Sequence, residues 1–228
     1  MSVISCRQAT RRYRQRGLDP VVAVDAVDLA IDAGEFVAVE GPSGSGKTTL
    51  LGLLAGLEAP DDGTVTVLGH DLARLTPSER ARLRQKRIGI VFQSFGLLPS
   101  LSAGGNVALP LGLAGVPERE QRRRAEQALA EVGLASFHDA RVDELSGGER
   151  QRVGVARAIV IEPAVLLADE PTGSLDEETA AGILALLTDA VRRRGASLVL
   201  VTHDPASASR ADRRYRMRDG RLQPGASS

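Results

Sequence analysis

The chain carries no net charge: 29 lysines and arginines are matched by 29 aspartates and glutamates. It lacks the overall positive field expected of a nucleic-acid binder, which leaves only a local patch open. A single cysteine, Cys6, excludes an internal disulfide and suits a reducing compartment. No apolar run approaches the roughly 20 residues needed to cross a bilayer. The N-terminal stretch MSVISCRQATRRYRQRG has no apolar segment of the signal-peptide kind. The expected location is the cytosol, with any membrane span supplied by another chain. There is no internal repeat and no low-complexity linker. The 43% hydrophobic content over 228 residues supports a substantial core, in one large domain or two small ones.

What is present is an alternation. Short β-like segments at Phe36–Glu40, Thr64–Leu68, Ile88–Phe92, Val165–Ala168 and Ser197–Thr202 are separated by helical patterns and by glycine and proline. This predicts an α/β layered domain with a mostly parallel central sheet. Between Pro117 and Leu134, Ala125, Leu129, Val132 and Leu134 recur at near-helical spacing, so an amphipathic helix is expected whose basic run is a solvated face. The tail, residues 223–228, is expected to fray.

Three local patterns carry chemistry. The first is GPSGSGKTT, Gly41, Pro42, Ser43, Gly44, Ser45, Gly46, Lys47, Thr48 and Thr49. It fits the phosphate-binding loop G-x-x-x-x-G-K-[ST]. A short apolar strand precedes it, and Leu50, Leu51, Leu53, Leu54 and Leu57 follow at helical spacing. Backbone N–H groups and the positive helix end would wrap nucleotide phosphates, Lys47 would reach the β and γ phosphates, and the Thr48 hydroxyl would hold magnesium. The second is VLLADE, where an apolar strand ends in Asp169 and Glu170. Two acids after a strand are commonly solvated loop charges. Beside a phosphate loop, the first would orient magnesium and the second would take a proton from the attacking water.

The third pattern is LSGGERQRVGVARAIV, from Leu145 to Val160. Ser146 and Glu149 form a capping box ahead of an amphipathic helix. A capping box does not require Gly147 and Gly148, whereas a serine hydroxyl and bare glycine amides at a helix start make a second anion site. One chain thus carries two phosphate cradles.

LSGGERQRV, with the phosphate loop upstream and ADEPTGSLD downstream, resembles the signature of ABC-type ATPases over almost the whole chain. KRIGIVFQSFGLLP and DLARLTPSERARLR look like the MacB/LolD-type subgroup, associated with lipoprotein release and macrolide efflux. The resemblance implies one ABC ATPase domain over residues 1–228. Its parts would be an N-terminal antiparallel β subdomain, a P-loop NTPase core and a helical insertion at about 94–161 that bears the signature. It implies ATP and Mg2+ as cofactors, and a homodimer in which the phosphate loop of one copy and Ser146, Gly147, Gly148 and Glu149 of the other enclose each ATP. Asp176 would report across that interface. Gln93 would match the glutamine that touches magnesium and the attacking water and links the site to the membrane partner. His203 would match the histidine that holds the γ-phosphate, and Tyr13 would stack on adenine. Outside that frame Gln93 is a surface side chain, His203 a strand-end histidine, and Tyr13 a solvated aromatic on an edge strand. Asp204 before Pro205 reads as a helix N-cap.

The partner implied is an integral membrane permease, with the ATPase held peripherally at the inner face of the membrane and no direct insertion. Gly104, Gly105, Asn106 and Val107 stand where the subgroup has a Glu-Asn-Val-like stretch, which leaves the partner's identity open. With a short stretch after DGRL, the extra regulatory domain of some sugar importers is not expected. The reading expected is a transport ATPase for extrusion. The alternatives are a related module that signals across the membrane, as cell-division ABC proteins are thought to do, and a soluble ABC ATPase acting on DNA or ribosomes. The latter generally carries paired domains, coiled coils or basic linkers, and none is visible.

Overall fold

Apolar segments bounded by glycine turns become the strands of the computed structural model, which describes residues 2–14 and 19–225. The chain order begins β1 (Ser2–Tyr13), β2 (Val21–Asp32), β3 (Phe36–Glu40), α1 (Lys47–Leu54), β4 (Asp62–Val67), β5 (His70–Asp71), α2 (Pro77–Arg87), β6 (Ile88–Val91). It continues α3 (Ala103–Leu113), α4 (Glu118–Glu131), α5 (Gly147–Ile159), β7 (Val165–Asp169), α6 (Glu177–Arg194), β8 (Ser197–Thr202), α7 (Pro205–Ala208), β9 (Arg213–Arg218), β10 (Arg221–Pro224). One compact unit is built from Met1–Arg84 and Ser197–Ser228, a second from Gln85–Ala196.

In the first unit, β2, β1, β4 and β5 form an antiparallel sheet. The apolar alternation of β1 and β2 buries Ile4, Cys6, Ala9, Val27, Leu29 and Ile31 on one side. A second sheet runs β10, β9, β3, β8, with β3 parallel to both neighbours. β3 and β8 are almost wholly buried, as continuous β-branched and apolar runs in parallel strands should be. Gln223 and Pro224, expected in a frayed tail, instead pair with Arg216 and Tyr215 of β9. Residues 226–228 lie outside the described residues.

In the second unit, β6 and β7 pair in parallel, Ile88 against Val165 through Val91 against Ala168. The helix expected between 117 and 134 is α4, with Pro117 as its N-cap and Gly133 at φ 79 just past its end. Ala125, Leu129, Val132 and Leu134 are all buried as their spacing requires; Arg122 and Arg123 pair with Glu126 and Glu120 on the exposed face, while Arg124 turns to the Val160 carbonyl. α6 ends on Gly195 in the left-handed conformation after Arg192, Arg193 and Arg194, whose charges suit a helix C-terminus.

Candidate nucleotide site

In the first unit the phosphate loop leaves β3 and enters α1, the order that its motif requires. Gly44 at φ 78 and Gly46 at φ 103 take conformations that side chains disfavour, and no side chain caps α1. Its first turn therefore keeps the positive end of the helix available to an anion. Lys47 is buried and its Nζ donates to the loop's own carbonyls, Gly41 O at 2.8 Å and Pro42 O at 3.0 Å. This curls the loop around the ammonium. The Ser45 hydroxyl is buried without a hydrogen-bond partner, while Ser43, Gly44 and Thr48 are exposed. A buried polar group left unsatisfied is unusual and fits a loop built around an anion.

Two of the glycines have a second reason. A Cβ on Gly46 would lie 2.0 Å from the Ala23 carbonyl, and one on Gly41 would lie 2.2 Å from the Met217 carbonyl. The loop is pressed against β2 and β9, and neither neighbour is legible in the motif.

Tyr13 ends β1. Its hydroxyl donates to Glu58 at 2.7 and 2.8 Å, and the Arg11 guanidinium lies over the ring, 5.1 Å from its centroid. Arg11 in turn pairs with Glu58 and Asp61. One face of the ring is thus already covered by this chain. The pairing of β1 with β2 reaches Tyr13, opposite Val21, whereas that with β4 stops at Thr10, so residues 11–13 lie on an edge on that side. Arg14 is described and residues 15–17 of the RRYRQRG stretch are not. His203 is exposed directly after β8. Asp204 caps α7, accepting from Ala206 N at 3.0 Å and Ser207 N at 2.9 Å. The Ser207 hydroxyl, ahead of these backbone donors, holds the Asp204 carboxyl below its usual range.

In the second unit β7 delivers Asp169 at its last position and Glu170 just beyond. Glu170 sits at φ 47, a left-handed conformation rare for a side-chain-bearing residue outside sites that require it. A Cβ built on Gly173 would meet Gln93 Nε2 at 3.3 Å and Glu170 Oε2 at 3.7 Å. The fold therefore brings the ends of Gln93 and Glu170 to one point, from segments far apart in sequence. Glycine at 173 leaves that space to them.

Both arms of the expected capping box are made: Glu149 N donates to Ser146 Oγ at 3.3 Å and Ser146 N to Glu149 Oε2 at 2.7 Å. The Ser146 backbone N–H and, next, the Ser146 hydroxyl hold the Glu149 carboxyl below its usual range. Ser146 and Gly147 are exposed at the start of α5. Gly148 has a packing reason as well, since a Cβ there would lie 2.7 Å from Thr179 Cγ2 of α6. Asp176 is exposed and caps α6 by accepting from Thr179 N at 2.9 Å, and Thr179 holds its carboxyl low. Asp176 thus has a structural duty within its own chain. Thr179, Arg11 and Glu58 were not singled out by sequence; only contacts across the chain identify them.

No group of three or more histidine, cysteine or acidic side chains gathers as a metal cage among the described residues. Magnesium uses few protein oxygens when phosphates complete its shell, and the Thr48 hydroxyl and Asp169 carboxylate are hard donors of that kind.

Residues 24–173 match the family described as ABC transporter. Over 224 residues the chain is 45% identical to the lipoprotein-releasing system ATP-binding protein LolD of Chromohalobacter salexigens, an alignment covering 98% of this chain and 94% of that protein. It is 44% identical to the macrolide export ATP-binding/permease protein MacB of Sodalis glossinidius, covering 96% of this chain but 33% of that longer protein. Among solved structures, a dimeric ATP-binding cassette in a post-hydrolysis state bound to ADP and Pi superposes with a TM-score of 0.90 at 35% identity, covering 99% of this chain and 100% of that one.

Proposed function

This chain belongs to the ABC transporter family, and on that premise we propose that it is the ATP-hydrolysing subunit of an export system of the MacB/LolD kind. Two copies close head to tail on two ATP molecules with Mg2+, and a separate membrane permease turns that cycle into work. Among the described residues no helix is long and apolar enough to cross a membrane. In this reading the subunit therefore sits at the inner face of the membrane through its partner.

The observation that carries the reading is the phosphate loop: an α1 N-terminus without a side-chain cap, a buried Lys47 and an unsatisfied Ser45 hydroxyl. Backbone N–H groups of residues 41–49 bind the phosphates and Lys47 offsets charge on the β and γ groups. Glu170 accepts the proton of the attacking water, and Gln93, converging on the same point, orients that water. His203 stabilises the γ-phosphate. Thr48, Asp169 and Gln93 hold magnesium, which when bound draws off charge developing on the phosphate oxygens. Ser146, Gly147, Gly148 and Glu149 of the second copy close over the γ-phosphate, Asp176 lies at that interface, and the exposed start of α5 supports this. Tyr13 stacks on adenine with the face that Arg11 leaves open.

The test is Glu170→Gln, which keeps the shape and removes the base. Hydrolysis falls about 100-fold or more, and an ATP-bound dimer elutes from a sizing column where the parent chain runs as a monomer. Near-normal turnover would remove Glu170 from its role.

A further inference from the structure

The loop that carries Gln93 is held from behind by the signature helix. After β6 ends at Val91 the chain turns sharply, with Phe95 N donating to Phe92 O at 3.3 Å and Gly96 N to Ser94 O at 2.6 Å. Two successive residues, Phe95 at φ 61 and Gly96 at φ 59, take the left-handed conformation. Glycine adopts it freely, but phenylalanine does so only where its surroundings impose it. Those surroundings include Arg157, in the last turn of α5. Its Nη2 donates to the Phe95 carbonyl at 2.9 Å and its Nη1 to the Gly96 carbonyl. The planar fork thus reads both carbonyls that the double left-handed turn presents.

Two further details fit a clamp. The space at Gly96 is taken up by the Phe92 ring at 3.1 Å and by Arg157 Nη2 at 3.3 Å, so the loop, the ring and the guanidinium are packed as one group. Gln151, fully buried on the same helix, directs its Nε2 toward the Phe92 carbonyl at 3.5 Å. Partial burial pulls the Arg157 pKa down. The two carbonyl acceptors partly offset the cost of desolvating the guanidinium.

We propose that Arg157 is a positioning residue for hydrolysis: it fixes the Gln93 loop to α5, so that the placement of Gln93 follows that of the helix that Ser146 caps. A shift of the signature helix, for instance when Ser146 meets the partner's nucleotide, is then transmitted to Gln93 through two hydrogen bonds. This rests on the role given to Gln93 above.

Two readouts on the full chain separate the clamp from that role. The first is amide hydrogen exchange in a peptide covering residues 92–98. Arg157→Met raises it about tenfold or more, as loss of two charge-assisted bonds should, while exchange in α1 is unchanged. Unchanged exchange at 92–98 overturns the clamp whatever Gln93 does. The second is a double-mutant cycle on kcat. Arg157→Met lowers kcat about tenfold with KM for ATP nearly unchanged, and in a Gln93→Ala background the same change adds less than about twofold, because the two residues act through one loop. Losses that multiply in full would overturn the proposal, since Arg157 would then be merely structural. If Gln93→Ala alone leaves kcat intact, the role of Gln93 falls and the clamp is judged by exchange alone. Arg157→Lys keeps the charge without the fork and gives intermediate values. It carries the same test should the methionine variant melt below the assay temperature.

Discussion

At the scale of single residues, the glycines of the phosphate loop separate by what surrounds them. Gly44 and Gly46 both have positive φ, but Gly44 faces open space, whereas Gly46 abuts the Ala23 carbonyl at 2.0 Å and Met217 Cε at 2.9 Å. Gly44→Ala therefore costs about 1–2 kcal/mol of backbone strain. Gly46→Ala adds a backbone clash and costs several kcal/mol. At about 2–4 °C per kcal/mol for a chain of this size, thermal melting should separate the two clearly, and equal melting points would refute the packing account. Cys6 lies inside the first sheet, and burial, helped by Asp28, pushes its thiol up to about 12. An unfolded cysteine has a pKa near 8.5, so folding favours the protonated thiol. Its contribution to stability is complete below about pH 8.5 and is lost as pH rises toward about 12. Alkylation of the native protein at pH 8 should run more than about 100-fold slower than in urea, because only the thiolate reacts. Comparable rates would contradict the burial.

At the scale of elements, α5 and α6 are joined where they begin. Ser146 caps α5, Asp176 caps α6, and Thr179 packs its methyl where a Cβ of Gly148 would stand, at 2.7 Å. Gly148→Ala should therefore destabilise the chain by about 1–3 kcal/mol through overpacking. Adding Thr179→Ser, which removes that methyl and keeps the capping N–H, should recover most of the loss in a melting experiment. A double variant no more stable than Gly148→Ala alone would show that α6 is not the cause. The same junction explains why the capping box was legible and the packing of Gly148 was not. A cap is a pattern over four consecutive residues, while Thr179 reaches Gly148 only once α6 has packed on α5.

At the scale of the whole molecule, the proposed cycle has the phosphate loop at the start of α1 and the signature at the start of α5 act on nucleotides held by different copies. Ser43 and Ser146 are both exposed. Cysteines placed at these two positions should crosslink between copies with ATP in the Glu170→Gln background and not without nucleotide. Crosslinking indifferent to nucleotide would refute ATP-driven closure. The sequence by itself determined the strands at β3, β7 and β8, the phosphate loop between β3 and α1, and the caps at Ser146 and Asp204, because each is a local pattern of hydrogen bonds or periodicity. It did not disclose β9 and β10, RRYRMR and RLQP, where the alternation is short and carried by Tyr215, Met217 and Leu222 among charged and polar residues. They become strands because β9 pairs in parallel with β3 and β10 covers its other edge. Nor did it disclose Met217 and Ala23 against the loop glycines, Arg157 behind Gln93, or Gln93 and Glu170 meeting at Gly173. Those contacts join residues tens to more than a hundred positions apart, and only the packed chain decides which of them touch.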